Sequence, residues 1–255
     1  MNKIGCIIQA RLGSTRLPGK VMLKVDDKHT VIHHLINQLQ KSKFCQNIVV
    51  ATTTLHEDDK LVDFLKELNV ECFRGSSDDC LDRYYQCSKE FQFSIIIRIT
   101  SDNPLIDPTL VDEAVNTFLT SSYDCLSNCK PRSFPYGTEV EIFSFNALQK
   151  AWNEANKMSE REHVTPYFYN NPNKFKIFTI KNTSDLSHLR WTVDRKEDLL
   201  LVQKIIERIK KSPILMKDVL ELFKKEPELI NLNKSYVKDE GYLKSLKEDK
   251  LIGRK

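Results

Sequence analysis

No stretch of this 255-residue chain approaches the run of about 18 apolar residues that a membrane-spanning helix requires, so an integral helical membrane protein is excluded. An excess of charge of one sign is missing as well. The 39 basic and 35 acidic residues leave a net charge of +4, without the extended basic surface that nucleic-acid binding demands. Cysteine pairing is not evident: the seven cysteines are odd in number, and Cys6 and Cys72 sit in strand-like runs, which suits a reducing compartment better than a disulfide framework. Cys125 and Cys129 lack a second pair or a neighbouring histidine, so a zinc site is not expected. The opening MNKIGCIIQA runs directly into an apolar strand without a cleavable signal pattern, and the expected location is the cytoplasm. There is no internal repeat and no low-complexity linker. The reading is no membrane and no nucleic acid as partners.

An apolar content of 40% supports a substantial core without disulfide or metal staples. Short apolar runs at Ile4 to Gln9, Ile48 to Thr52, Val70 to Phe73 and Ile95 to Thr100 alternate with helical stripes such as Val31, Ile32, Leu35, Ile36 and Leu39. Strands alternating with helices predict an α/β fold with a mainly parallel sheet flanked by helices. His33 and His34 fall on the first helix and read as surface or packing residues. Further strands are predicted at 137–145, 175–180 and 189–193, and helices at 160–169, 196–210 and 216–223. The expected organisation is a main domain over residues 1–229 and a peripheral lysine-rich extension over 230–255.

Residues 9–20, QARLGSTRLPGK, place Arg11, Arg16 and Lys20 on a loop that follows the first strand, with Gly13 leaving backbone amides open to an anion. Such a loop suits a nucleoside triphosphate or its leaving pyrophosphate. It is not a Walker A loop: five residues separate Gly13 from Gly19, and Val21 follows Lys20 where a metal-binding hydroxyl would stand. In an open parallel sheet, ligands gather at the carboxyl ends of strands, which directs attention to Asp102 after the most apolar run and to Asp194 after a later one. Two hard carboxylates with phosphate oxygens and water would complete a magnesium site, while singly each aspartate also reads as a turn former or a helix cap. Arg74, Ser76, Asp79 and Arg83 cluster after the third strand, with Asp79 and Arg83 at the spacing of a helix-surface ion pair. Glu139 and Glu141 share one face of an alternating segment that begins near Tyr136 and Gly137, where a carboxylate can receive a hydroxylated substrate.

The segments QARLGSTRLPGK, FRGSSDDCLDRY, ITSDNPLIDP, GTEVEIFS, REHVTPYFY and LRWTVDRKEDL resemble, in that order, the cytidylyltransferases related to spore coat polysaccharide protein SpsF, which are distant relatives of the acylneuraminate and KDO enzymes. The resemblance covers about residues 3 to 240, the tail phrase DEGYLKSLKED included. It implies a Rossmann-like, GT-A-like nucleotidyltransferase fold that joins CMP from CTP to an acceptor and releases pyrophosphate with magnesium. By motif position Arg11, Arg16 and Lys20 resemble triphosphate-binding residues, and Asp102 and Asp194 the metal ligands; the catalytic group expected is Arg11, Lys20, Asp102 and Asp194. Ala10, Gly13, Ser14, Thr100 and Ser101 join the nucleotide site, with Arg74, Gly75 and Ser76 in the base and ribose loop. Tyr136, Gly137, Glu139, Glu141 and His163 are expected on the acceptor side. For His163 a second reading is packing at a subunit contact built from Tyr167, Phe168 and Tyr169, since relatives dimerise through the second half and a homodimer is the expectation.

KDO enzymes carry glutamine, glycine and glutamate around the metal aspartate, whereas this chain has Thr100, Ser101 and Asn103, which argues against KDO as acceptor. The implied acceptor is small and acidic or hydroxylated: a nonulosonic, sialic-acid-like sugar, or a phosphorylated or phosphonate compound. A metal-dependent glycosyltransferase is the enzymatic rival, but Ser101-Asp102-Asn103 lacks its paired aspartates. A catalytically silent nucleotide-binding protein is the rival from another class.

Overall fold

Alternating side-chain directions along the first strands bury both of their faces, and this is what forces helices onto either side. The computed structural model describes residues 3–252. Its strands are β1 (Ile4–Gln9), β2 (Ile48–Thr53), β3 (Glu71–Gly75), β4 (Ile95–Thr100), β5 (Cys125–Ser127), β6 (Glu141–Ser144) and β7 (Ile177–Thr179). They form one sheet in the order β3-β2-β1-β4-β6-β5-β7. The strands β3, β2, β1 and β4 are parallel, β6 runs antiparallel to both β4 and β5, and β7 is parallel to β5.

Cys6 and Ile8 of β1 face a cluster that includes Ile32, Leu35 and Leu39 of α1 (Val31–Leu39), Leu61 and Leu65 of α2 (Asp59–Glu67), and Val111 and Val115 of α4 (Pro108–Leu119). Ile7 between them points to the other layer, where Leu81 and Tyr84 of α3 (Cys80–Glu90) and Leu148 and Ala151 of α5 (Phe145–Glu154) cover it. That period of two, buried on both faces, produced the continuous apolar runs seen in the sequence. Thr30, Asp79, Asp107 and Ser144 each cap a helix with a side-chain oxygen, starting α1, α3, α4 and α5 where the strand-to-helix loops end.

Because the chain leaves β1 toward β2 on one side and leaves β4 toward β5 and β6 on the other, the loops after β1 and β4 diverge across a topological switch point. A crevice opens there, at the carboxyl ends of the strands. A third cluster roofs this end: Trp191 and Val193 pack with Leu17, Leu201 and Val202, the last two from α8 (Lys196–Arg208), and with Val219 and Phe223 from α9 (Met216–Lys225).

Several boundaries differ from expectation for local reasons. The helix predicted at 160–169 is two, α6 (Met158–His163) and α7 (Pro166–Asn170), because Val164 has φ 69° and Pro166 has no amide hydrogen to continue the ladder. No strand forms at 189–193: Arg190 makes a single bridge with Tyr136, and the Val193 amide donates to the Asp102 carbonyl at 2.7 Å. The strand predicted at 137–145 is limited to β6, since Gly137 adopts φ 104° ahead of it. β5 was not predicted, its three residues being too short for a period to show.

The extension is not peripheral. Its helix α10 (Glu240–Ile252) lies on α6, with the Ser159 amide donating to Asp249 at 3.1 Å and His163 Nε2 3.0 Å from Ser245 Oγ. The outermost residues of the two expected segments, 1–2 and 253–255, lie outside the described residues. None of the described helices is long and apolar enough to cross a membrane.

Gly137 joins the sheet to this roof. A Cβ there would lie 2.7 Å from the Thr192 amide nitrogen and 2.9 Å from the Trp191 carbonyl carbon, on a backbone already in the region that favours glycine. Gly137→Ala should therefore cost about 2 kcal/mol or more, read as a fall in the urea midpoint.

Candidate active site

The loop after β1 is tied down before any ligand arrives. The Leu12 amide donates to Asp58 Oδ1 at 2.6 Å, and the Gly19 amide donates to the Leu12 carbonyl at 3.0 Å, closing a compact ring. Gly19 at φ 66° turns the chain so that Lys20 enters the crevice. Asp58 is fully buried and also receives the Thr53 hydroxyl at the end of β2, so the sheet itself holds the loop.

Lys20 ends between two carboxylates: Nζ lies 2.7 Å from Asp102 Oδ2 and 2.8 Å from Asp194 Oδ1. Arg16 reaches Asp194 Oδ1 at 2.6 Å and Arg190 reaches its Oδ2 at 2.7 Å. Burial would raise the Asp194 carboxyl, but Lys20, Arg16 and Arg190 outweigh it and hold it well below the usual carboxylate range. Burial likewise opposes charge on Lys20, and Asp102 and Asp194 more than compensate, raising its pKa. Lys20 and Asp194 therefore each stabilise the charged form of the other.

Asp198 sets this arrangement from behind. It accepts from the Asp194 and Arg195 amides at 3.0 and 2.9 Å and pairs with Arg190 at 3.1 Å, so the first turn of α8 and the arginine are placed by one carboxylate. The backbone after β4 is fixed similarly, with Asp102 O receiving the Val193 amide and the Thr192 hydroxyl.

A cavity of about 230 Å³ continues from Asp102 and Asp194, lined by Thr100, Asn103, Arg132, Tyr136, Glu139 and His163 among others. Glu139 accepts from the Gly137 amide and from Asn103 Nδ2, both at 2.9 Å, and pairs with Arg132 at 2.5 Å. Asn103 Oδ1 is buried without a hydrogen-bond partner among the described residues.

A sequence profile of the cytidylyltransferase family matches residues 5–249. The chain belongs to the cytidylyltransferase family. It is 38% identical over 242 residues to protein MJ1063 of Methanocaldococcus jannaschii, covering 94% of this chain and 98% of that one. It is 32% identical over 222 residues to the spore coat polysaccharide biosynthesis protein SpsF of Bacillus subtilis, covering 84% and 90%. The solved structure of a cytidylyltransferase from Leptospira borgpetersenii superposes with a TM-score of 0.88 at 38% identity, over 93% of this chain and 100% of that one. The Rossmann-like nucleotidyltransferase fold expected from the sequence is the fold observed.

In this cytidylyltransferase, Lys20, Arg16, Asp102 and Asp194 converge directly, and Ala10, Gly13 and Ser14 belong to the same loop. Arg11 is exposed and turns aside, donating to the Ser77 carbonyl at 3.2 Å, which links the basic loop to the loop after β3. Thr100 lines the cavity and Ser101 is buried beside it, its amide bonded to Gln9 O at 3.2 Å. Arg74 is turned to the Thr53 and Leu55 carbonyls at 2.9 Å and to Asp59, Gly75 accepts from the Thr54 amide, and Ser76 caps the turn into α3. These three shape the β3 loop without reaching the Lys20 cluster. The Asp79–Arg83 ion pair does not form: Asp79 pairs with Arg161, and buried Arg83 donates to the Ser76 carbonyl at 3.0 Å.

On the acceptor side Tyr136, Glu139 and His163 line the cavity and Gly137 shapes it, but Glu141 does not. Glu141 is 3% exposed and ion-paired with Arg98 inside the sheet, with Tyr169 donating to it at 3.1 Å. It occupies a strand position opposite Arg98, so pairing across β4 and β6 claims it. Tyr167 and Phe168 are buried against Phe175 in this chain's own core, and do not present the aromatic subunit contact expected of them. Arg132, Arg190, Asp198 and Asp58 were not singled out from the sequence, and Asn103 only as a departure from the KDO pattern. Asp198 and Arg190 stand in the LRWTVDRKED phrase four residues either side of Asp194, a symmetric charge spacing that was there to be read.

The Arg98–Glu141 pair gives a direct test of the correction. Arg98→Met leaves the buried Glu141 without its cation, with the Tyr169 hydroxyl as a remaining donor, and should lower unfolding stability by about 3–5 kcal/mol in urea titration. Adding Glu141→Gln to that variant should recover part of the loss.

Proposed function

We propose that the protein transfers CMP from CTP to an oxygen of a small acidic, hydroxylated acceptor, a nonulosonic sugar destined for surface polysaccharide being the foremost class, and releases pyrophosphate. The observation that carries this is the Lys20 ammonium held between Asp102 and Asp194 at the switch point, with Arg16 beside it. Polyphosphate enters where cations are pre-ordered, and the adjoining cavity offers Asn103, Glu139 and arginines to hydroxyl and acid groups. The SpsF relative, a spore coat polysaccharide biosynthesis protein by name, supports the pathway class.

Asp102 and Asp194 suit magnesium. Their two oxygens already converge on one cation, Lys20 Nζ, and a two-carboxylate set completed by phosphate and water matches an ion that seldom takes an all-protein cage. Among the described residues no group of three or more His, Cys, Asp or Glu side chains is placed to hold a metal by itself. When bound, magnesium would neutralise phosphate charge and polarise the phosphoryl oxygens.

The chain's own part is positioning and charge. Lys20 and Arg16 exchange their carboxylate partners for phosphate oxygens as the triphosphate binds, and Arg11 adds charge at the loop's outer edge. The acceptor oxygen forms a bond to the α-phosphorus as the bond from that phosphorus to the pyrophosphate oxygen breaks, and a hydroxyl proton leaves to water. Negative charge grows on the pyrophosphate facing the cations, so these residues stabilise the transition state more than the ground state. No side-chain nucleophile is needed. The protein is proposed to act in the cytoplasm as a homodimer, which sedimentation tests.

Pyrophosphate release should be measured with magnesium and each of the four ribonucleoside triphosphates against nonulosonic acids, KDO, sugar phosphates and phosphonates. Release with CTP and an acidic sugar is expected; release only with a phosphate or phosphonate would assign the acceptor to that class, and none with CTP would overturn the reading. Asp102→Asn should lower turnover at least about 100-fold while the melting midpoint stays near that of the wild type.

A further inference from the structure

The C-terminal segment forms one wall of the acceptor cavity, through Tyr236, Asp239, Glu240, Gly241 and Tyr242. Its most telling member is Glu240, the first residue of α10. The carboxylate accepts from Arg195 Nη2 at 3.0 and 3.2 Å and from Arg16 Nη1 at 3.3 Å. Arg16 thus has an anion on each side, Asp194 and Glu240, and Arg195 lends its guanidinium to the same end of the crevice. The Arg195 hydrogen bonds, with Arg16 adding to them, hold the Glu240 carboxyl below the usual glutamate range. A carboxylate across two guanidiniums is the contact a phosphate group makes.

We propose that Glu240 is a built-in stand-in for substrate phosphate: it occupies Arg16 and Arg195 in the free protein, and a nucleoside triphosphate displaces it from Arg16, loosening the start of α10 from the acceptor wall. The proposal rests on the reading that Arg16 receives phosphate. The rest of α10 keeps its own anchors, since Ser245 is bonded to Glu162 and His163, and Asp249 to Ser159. The tail therefore stays docked while its first turn exchanges partners. Asp239, at φ 53°, sits at the junction between the departing carboxylate and the preceding loop, a backbone state held only by its surroundings. Competition and coupling are reciprocal: whatever Glu240 takes from nucleotide affinity, nucleotide takes from the Glu240 contacts. Both partners are partly exposed, so the competition is modest, at the scale of a surface ion pair.

The test is calorimetric titration of the full chain with CTP and magnesium, for the wild type, Glu240→Gln and Glu248→Gln. Glu248 lies further along the same helix and, among the described residues, pairs with Lys244 at 3.9 Å. Glu240→Gln should bind CTP about three- to five-fold more tightly. Glu248→Gln should match the wild type, and the melting midpoints should agree. Amide hydrogen exchange should rise in the first turn of α10 when CTP is added to the wild type. Equal or weaker CTP binding by Glu240→Gln, with the wild type binding normally, overturns the stand-in alone. A wild type that binds no CTP removes the functional reading beneath it as well.

Discussion

The ammonium of Lys20 between Asp102 and Asp194 is the contact on which the rest of the site depends, because it joins the three loops that meet at the switch point. The loop after β1 brings the lysine, the loop after β4 brings Asp102, and the turn into α8 brings Asp194. Three chain segments distant in sequence meet at one charge, with the Val193 amide and Thr192 hydroxyl also tying the Asp102 loop to the segment before α8. Removing that charge would leave two carboxylates facing one another in a half-buried crevice, where like charges repel strongly. The ammonium offsets that repulsion by pairing with both carboxylates.

The supports of this contact are arranged in shells. Asp58 holds the basic loop to β2, Asp198 holds Arg190 and the start of α8, and Glu139 binds Arg132, Asn103 and the Gly137 amide. Each of these three supporting carboxylates satisfies at least two donors, so the frame around Lys20 and Arg16 is fixed by contacts that do not involve those two cations. Preorganisation of this kind is where phosphoryl-type transfer gains most of its rate.

The parallel half of the fold was legible because β1, β2 and β4 are buried on both faces and so appear as unbroken apolar runs. The second half was less legible. β5 is three residues long, the stretch at 189–193 is extended but bonds to the Asp102 loop and makes no ladder, and Val164 breaks a helix that apolar spacing alone continues. Lys20, Asp102 and Asp194 could be found from their positions after apolar runs, although the run before Asp194 forms no strand. Glu141 could not be told from Glu139, because the two share a face by period and differ only in that a cross-strand arginine, Arg98, meets one of them. Glu240 was beyond reach for another reason: nothing in a lysine-rich tail signals that it folds back across more than two hundred residues to meet Arg16.

The proposal with most at stake is that Asp102 and Asp194, now paired with Lys20, would hold magnesium in the presence of the triphosphate. Titrating CTP into the wild-type protein, with magnesium and with a chelator, tests this most directly. CTP affinity should be at least about ten-fold higher with magnesium, a difference of roughly 1.4 kcal/mol. Equal affinity in the two conditions would contradict the account, because Asp102 and Asp194 would then have no role beyond holding Lys20.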